Sequence, residues 1–263
     1  MKVATYNILD PELALFWKNP EGVEEKEGQL VDNWHQRHFR IASNIQDMNP
    51  DIICFQEVTH QTLLDLGKLL PQYQARGPVP HKKGETTGYG NAILFKANRF
   101  DLEKNIELRT TDQGVSRAAI ALDLKDKETQ ITIRVASLHL TGYNYHQSTE
   151  KERALGLDQL KFFTKALEKF PVSGLILAGD FNEDATMPER TRFLQESGYI
   201  SDGALSPTEP SSQRKIDWIF MKGALFSDLM PLSQNGPHPQ ASDHLLTGTS
   251  FEIKEPLQHV SSF

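Results

Sequence analysis

Leu175-Ile176-Leu177-Ala178-Gly179-Asp180-Phe181-Asn182 is an apolar run that stops on a glycine and then carries two polar residues one position apart. Four consecutive apolar residues read as a short strand buried on both faces, as in a sheet covered on each side. Taken alone, Asp180 and Asn182 open a turn, because short polar side chains satisfy neighbouring backbone N–H groups. A rigid strand end is equally a mount for catalytic side chains. Whether the other strands end in the same way decides between the two.

They do. Residues 2–9 read as a strand with Asn7 near its end, and a buried strand over 51–55 runs into Gln56-Glu57. Residues 131–140 carry His139, 216–221 carry Asp217, and Ser242-Asp243-His244 precedes a last strand over 245–253. Further strands fall at 91–96, 100–109 and 117–124. Helices fit 34–48, with Phe39, Ile41, Ala42 and Ile45 as its apolar residues, and also 59–70, 150–170 and 188–196. Residues 10–29 and 76–90 read as loops, the second exposed and rich in Gly and Pro. Strands come both in hairpin-like succession and separated by helices, so mixed sheets covered by helices are expected, in one domain over residues 1–263.

Composition narrows the function classes. A chain of 263 residues with 38% hydrophobic and 24% charged residues can bury a large core. No stretch approaches the roughly 20 apolar residues of a membrane span. Asn7 and Asp10 interrupt the N-terminal apolar run, which makes it a poor signal peptide; a cytoplasmic location is expected, with signal-less export left open. Cys54, flanked by Ile52, Ile53 and Phe55, is the single cysteine and reads as a buried thiol. The net charge of −7 argues against a broad basic surface gripping long duplexes. It leaves room for an enzyme that handles a few phosphates around a bound cation.

Two positions resist a structural explanation. Asp217 lies in an otherwise apolar strand, where a carboxylate needs a histidine, an arginine or a metal beside it. His139 is either a satisfied core histidine or a site residue. His35 and His38, three apart on a helix, have no cysteine or further close-spaced histidine to complete a zinc site and read as surface residues.

Thr5-Tyr6-Asn7-Ile8-Leu9, Gln56-Glu57-Val58, Ser137-Leu138-His139, Gly179-Asp180-Phe181-Asn182, Ile216-Asp217-Trp218-Ile219-Phe220 and Ser242-Asp243-His244 occur in this order along nearly the whole chain. As a set they resemble the endonuclease/exonuclease/phosphatase superfamily of deoxyribonuclease-I-like fold. The resemblance implies an α/β four-layered sandwich, two mixed β-sheets packed face to face with helices outside. It also implies a phosphodiesterase dependent on Mg²⁺ or Mn²⁺, with Glu57 as the main metal ligand assisted by Asn7 and Asp243. Asp180 is then the base for the attacking water, and Asn182, facing the same way if the chain is extended, holds that water or a phosphoryl oxygen. His244 donates to the phosphate, Asp217 orients and charges His244, and His139 binds another phosphoryl oxygen. Arg117 and Asn91 match positions near the substrate, although Arg117 can equally be a surface arginine.

An insertion over 10–34 followed by Arg37, the phrase Asp51-Ile52-Ile53-Cys54-Phe55-Gln56-Glu57-Val58, and Gly236-Pro237-His238-Pro239 tilt the resemblance toward the deadenylase and nocturnin-like branch. Ser137-Leu138-His139-Leu140-Thr141 departs from that branch. Tyr143 and Tyr145 can stack on bases, or pack a loop against the domain. His81, Lys82 and Lys83 can touch a phosphate backbone, or form an exposed charged loop tip. The expectation is a monomeric hydrolase acting on nucleic acid, with phosphoinositides, sphingomyelin or another small phosphate ester as the alternative substrate class.

Overall fold

Alternation within the apolar runs sets which way each strand faces. Val3, Ile52, Cys54, Ile93 and Phe95 point to one side of their sheet, and Ala4, Tyr6, Ile53, Phe55 and Leu94 to the other. The computed structural model describes residues 1–11, 34–81, 88–112, 115–142, 149–183, 188–210, 213–232 and 236–254. One sheet has six strands: β1 (Lys2–Asn7), β2 (Ile52–Val58), β3 (Tyr73–Pro80), β4 (Gly90–Lys96), β10 (Phe226–Leu232) and β11 (Thr247–Ile253). The other has five: β5 (Phe100–Asp112), β6 (Val115–Asp126), β7 (Thr132–His139), β8 (Gly174–Asp180) and β9 (Asp217–Lys222). Their orders are β10-β11-β1-β2-β4-β3 and β5-β6-β7-β8-β9.

Both sheets are mixed. β1 runs parallel to β2 and β7 parallel to β8, while the other pairings are antiparallel. Val3, Cys54 and Ile93 of the first sheet share one core with Ile120, Val135 and Ile176 of the second. The outer face of the first sheet packs on α1 (Trp34–Met48) and α2 (His60–Leu69) through Ile41, Ile45, Leu63 and Leu66. That of the second packs on α3 (Glu150–Glu168) and α4 (Glu189–Glu196) through Leu160, Phe163, Leu167 and Leu194. The architecture is thus the expected four-layered sandwich. Thr59 with Thr62, and Thr149 with Glu152, form reciprocal capping boxes that start α2 and α3. Among the described residues no helix is long and apolar enough to cross a membrane.

The structure departs from the sequence reading in three places. Residues 76–80, expected as exposed loop, belong to β3, which lies at a sheet edge where Gly and Pro are tolerated. β10, at the opposite edge, was not expected; its burial pattern is half-exposed, and too few apolar residues mark it. On α1 the buried face is Arg37, Ile41, Ala42, Asn44 and Ile45, whereas Phe39 is 58% exposed.

Gly179 holds the last turn of β8 against β7. Its φ is +153°, and a Cβ there would lie 1.9 Å from the carbonyl oxygen of Leu138, its partner across the parallel pair. Backbone cannot yield as a flexible side chain can. Gly179→Ala is therefore expected to destabilise the protein by about 1–3 kcal/mol or more, the usual cost of overpacking. Urea unfolding of the variant beside the parent checks this, and an unchanged midpoint would contradict it.

Candidate active site

Strand direction gathers the polar strand ends. Asn7 and Gln56 pair where β1 and β2 end together, and His139 and Asp180 where β7 and β8 end together. β9 runs the other way and begins with Asp217 opposite Asp180. β11 is antiparallel to β1, so the residues before it return to the same edge, and Ser242 Oγ donates to the Asn7 carbonyl at 2.7 Å. Beneath this edge a polar ladder joins the sheets. Thr5 Oγ1 donates to Gln56 Oε1 (3.1 Å), Gln56 Nε2 to Ser137 Oγ (3.0 Å), and Ser137 Oγ to the Phe55 carbonyl (2.9 Å).

Carboxylates crowd one wall. Asn7 Nδ2 donates to Glu57 Oε1 at 3.0 Å and to Asp180 Oδ2 at 3.1 Å, while its Oδ1 accepts from the Leu9 N–H. Glu57 Oε2 accepts from the Asp10 N–H at 3.1 Å. Burial, and then the neighbouring Asp243 charge, push the Glu57 carboxyl above its usual range. Burial raises Asp180 to about 7, a rise that the His244 charge opposes and Asp217 reinforces. The turn reading of Asp180 holds for one of its oxygens. One oxygen accepts the Asn182 N–H at 2.8 Å, as in a turn, and the other faces the site.

Two histidines flank Asp180 with opposite bias. His244 Nδ1 lies 2.9 Å from Asp217 Oδ2, and its Nε2 lies 3.8 Å from Asp180 Oδ2. Burial disfavours its charged form, but Asp217, Asp243 and Asp180 together lift His244 well above 6.5. His139 Nε2 lies 3.6 Å from Asp180 Oδ2. Burial, then Arg117, His81 and His244, hold His139 well below 6.5. Its Nδ1 is buried without a hydrogen-bond partner among the described residues, so it is not a satisfied core histidine. Asp217 is 0% exposed and has the histidine partner its burial demands.

The loops that present these groups are fixed by two buried arginines, Arg37, noted in the sequence only for its place after the 10–34 insertion, and Arg190, not noted there. Arg37 on α1 donates to the carbonyls of Ile8, Leu9 (2.7 Å) and Ala241 (3.0 Å), binding the exit of β1 to the turn before Asp243. Arg190 on α4 donates to the carbonyls of Phe181, Asn182 (3.2 Å) and Thr141 (3.1 Å). Glu183 caps the start of α4 by accepting the N–H groups of Arg190 and Thr191. Leu9, Glu57 and Asn182 all have positive φ (53°, 58° and 49°), a conformation that non-glycine residues seldom adopt.

Asn182 is therefore not on an extended chain, and the structure turns it out of line with Asp180. Its Nδ2 donates to the Leu140 carbonyl at 3.1 Å, and a Cβ on Gly142 would lie 1.9 Å from its side chain. Arg117 is recessed rather than on the surface, close enough for the charges of Asp180 and Glu57 to act on it. Asn91 is fully buried and ties the sheets by donating to the Ala118 carbonyl at 2.7 Å. His81, read as part of an exposed loop tip, is instead buried against His139, with ring centroids 5.5 Å apart. Tyr143, Tyr145, Lys82 and Lys83 lie outside the described residues. His35 is exposed, as expected of a surface residue.

Hard oxygen donors in a recess, with carboxyls pushed toward their protonated forms, suit a divalent cation. Asp180, Asp217 and His244 present ligand atoms within 4.8 Å of one another. The 2.9 Å hydrogen bond already accounts for two of them. Glu57 and Asp243 are half-buried oxygen donors, and the Asp243 charge helps to raise the Glu57 carboxyl. Asn7 as oriented offers its nitrogen to the carboxylates, so a direct bond from it to a cation would require its amide to turn over.

Residues 12–244 match the profile of the endonuclease/exonuclease/phosphatase family. The chain is 27% identical to Nocturnin of Mus musculus over 84% of its length and 28% identical to Nocturnin of Homo sapiens over 87%. The matches span 59% and 60% of those relatives. Among solved structures, the human Nocturnin catalytic domain with bound sulfate superposes with a TM-score of 0.69 at 26% identity, covering 95% of this chain and 94% of that one. A mannosyl-6-phosphatase of Bacteroides thetaiotaomicron superposes with a TM-score of 0.72 at 21% identity, covering 96% and 100%, a likeness of fold. With the shared fold, the ordered strand-end residues and a profile match over most of its length, the chain belongs to the endonuclease/exonuclease/phosphatase family.

Proposed function

We propose that the protein is a phosphodiesterase, dependent on Mg²⁺ or Mn²⁺, that hydrolyses phosphate esters in nucleic acid. The observation that carries this reading is the line Asp217···His244···Asp180, in which a buried carboxylate charges an imidazole whose free nitrogen lies 3.8 Å from a second carboxylate. Similarity to Nocturnin over most of the chain supports the nucleotide side of the proposal. Glu57 and Asp243 would hold the cation, with Asn7 beside them. When bound, the cation neutralises phosphoryl oxygens and so lowers the barrier to attack by water.

Asp180 takes the proton of the attacking water; a carboxylate near 7 matches that task at neutral pH. Asn7 and the Asn182 N–H each donate to Asp180, which fixes the direction of its lone pairs. His244, holding its Nδ1 proton on Asp217, turns Nε2–H toward the charge that develops on phosphorus-bound oxygen. Arg117 and His139 line the other side of Asp180, one charged and one neutral. Tyr143 and Tyr145 would stack on bases of the substrate. A second reading, hydrolysis of a small phosphate ester, draws on the net charge of −7, which provides no excess of cations for a long polyanion. Assay of RNA, DNA, phosphotyrosyl-DNA and inositol phosphates with Mg²⁺ and Mn²⁺ separates the two; turnover of the inositol phosphates alone would reject the nucleic-acid proposal.

Three outcomes are expected. Excess chelator abolishes turnover, and Mg²⁺ or Mn²⁺ restores it while raising the unfolding temperature. Asp180 holds its proton more tightly folded than unfolded, so the metal-free protein loses stability as pH rises from 3.8 to about 7. Cation binding needs the deprotonated carboxylates, so the thermal shift is larger at pH 8 than at pH 6, and Glu57→Gln loses it. A shift that is equal in Glu57→Gln would place the cation elsewhere.

Asp180→Asn keeps the shape and removes the proton acceptor, so single-turnover rates fall by about 10²–10⁴ with substrate binding retained. A loss of only a few-fold would mean another base.

Asp217→Asn and His244→Ala each cost a large factor in kcat, and the double variant costs little more, because the two act as a unit. His244 is active when protonated, so activity falls as pH rises through its pKa. Asp217→Asn removes the charge that raises that pKa and moves the basic limb of the pH–rate profile to lower pH. Additive losses, or an unmoved basic limb, would reject the pairing.

A further inference from the structure

At the end of β3 stands a buried histidine that no step above uses. His81 is 7% exposed, and its Nδ1 accepts the backbone N–H of Ala118 on β6 at 3.1 Å. The Ala118 carbonyl accepts from Asn91. Two side chains of the six-stranded sheet thus satisfy both polar groups of one residue in the five-stranded sheet. The bond to Ala118 also fixes the tautomer. A ring nitrogen that accepts carries no hydrogen, so the neutral ring bears its proton on Nε2. Burial, and then the Arg117 charge, hold His81 down at about 3, so the ring is neutral.

That Nε2–H has no hydrogen-bond partner among the described residues. An unmet buried donor costs about 1–3 kcal/mol, which a purely structural histidine has no reason to carry. Its neighbours share the condition. His139 stands edge-on to His81 with centroids 5.5 Å apart, and its Nδ1 is likewise buried and unmet. Arg117 acts on both histidines electrostatically, and its Nε is also unmet. His81, His139 and Arg117 therefore form one group with spare hydrogen-bonding capacity, and His139 stands beside Asp180.

We infer that His81 is a substrate-binding residue whose neutral Nε2–H donates to a non-bridging oxygen of the phosphoryl group, next to His139 and Arg117. The assignment rests on the phosphoester reading of the site. Two substitutions divide the roles of the ring. His81→Asn keeps an acceptor where Nδ1 meets Ala118 and removes the distal donor. His81→Gln restores a donor near Nε2 and gives up the Ala118 bond. Each is measured by thermal unfolding, by calorimetric titration with inorganic phosphate in Mg²⁺, and by kcat and KM for bis(p-nitrophenyl) phosphate.

His81→Asn should unfold near the parent temperature, bind phosphate about tenfold more weakly, and lose about 10²–10³ in kcat. His81→Gln should recover most of both losses while unfolding earlier. The reverse pattern, full phosphate binding and turnover in a stable His81→Asn, overturns the assignment and leaves His81 a structural clasp. Should the parent bind phosphate yet cleave no phosphate ester, the hydrolase reading falls, and the phosphate titrations of the two variants still decide the role of His81.

Discussion

Glu57 and Asp180 hang from different sheets and repel each other, and the amide of Asn7 stands between them, donating to both. Without that amide the two strand ends would bring bare carboxylates together in a recess poor in water, which costs several kcal/mol per ion. Much of the local structure keeps the Asn7 amide where it is. Leu9 N–H fixes its oxygen, Ser242 takes its carbonyl, and Arg37 pins the two carbonyls that follow. The Gln56–Ser137 ladder below sets the spacing of the sheets themselves. The site is therefore a property of the inter-sheet register, not of any one loop.

Unmet polar atoms collect at this edge, beside three residues of unusual backbone conformation. Leu9, Glu57 and Asn182 take left-handed backbone conformations next to the carboxylates. Buried atoms of His81, Asn91, Arg117, His139 and Asp217 lack partners among the described residues. Each such feature costs stability, and the two hydrophobic layers outside the sheets and the one between them offset it.

How much of this was legible in the sequence varies with the physical signal. Long apolar runs with polar stops announced β1, β2, β7, β8 and β9, and the spacing of Leu155, Leu160, Phe163 and Leu167 announced α3. The edge strands β3 and β10 were hidden, because these edge strands bury few of their residues and an edge tolerates Gly and Pro. The roles of Arg37 and Arg190 were hidden for a different reason. A buried arginine that feeds three backbone carbonyls looks, in sequence, like any surface arginine on a helix. His81 was misread through its neighbours, since Lys82 and Lys83 lend the stretch the look of an exposed loop. The sequence could put Asn182 in line with Asp180 only on condition of an extended chain, because nothing in Asp-Phe-Asn signals a left-handed residue, although asparagine tolerates that conformation better than most.

What gives the site its asymmetry is the pair of histidines on either side of Asp180. They share a chemistry and a burial, yet their neighbours push them apart. His244 faces the carboxylates of Asp217, Asp243 and Asp180 and favours the charged ring. His139 faces Arg117, His81 and His244 and favours the neutral one. Environments that separate like groups in this way are how one fold assigns unlike tasks to them. Here the separation is built into the sheets: β9 brings Asp217 to one side of Asp180, and β6 brings Arg117 to the other. Burial alone favours the neutral form of both rings, so the carboxylates around His244 are what set the two apart. The strand order, as much as the residues themselves, therefore fixes which side of Asp180 presents a cation.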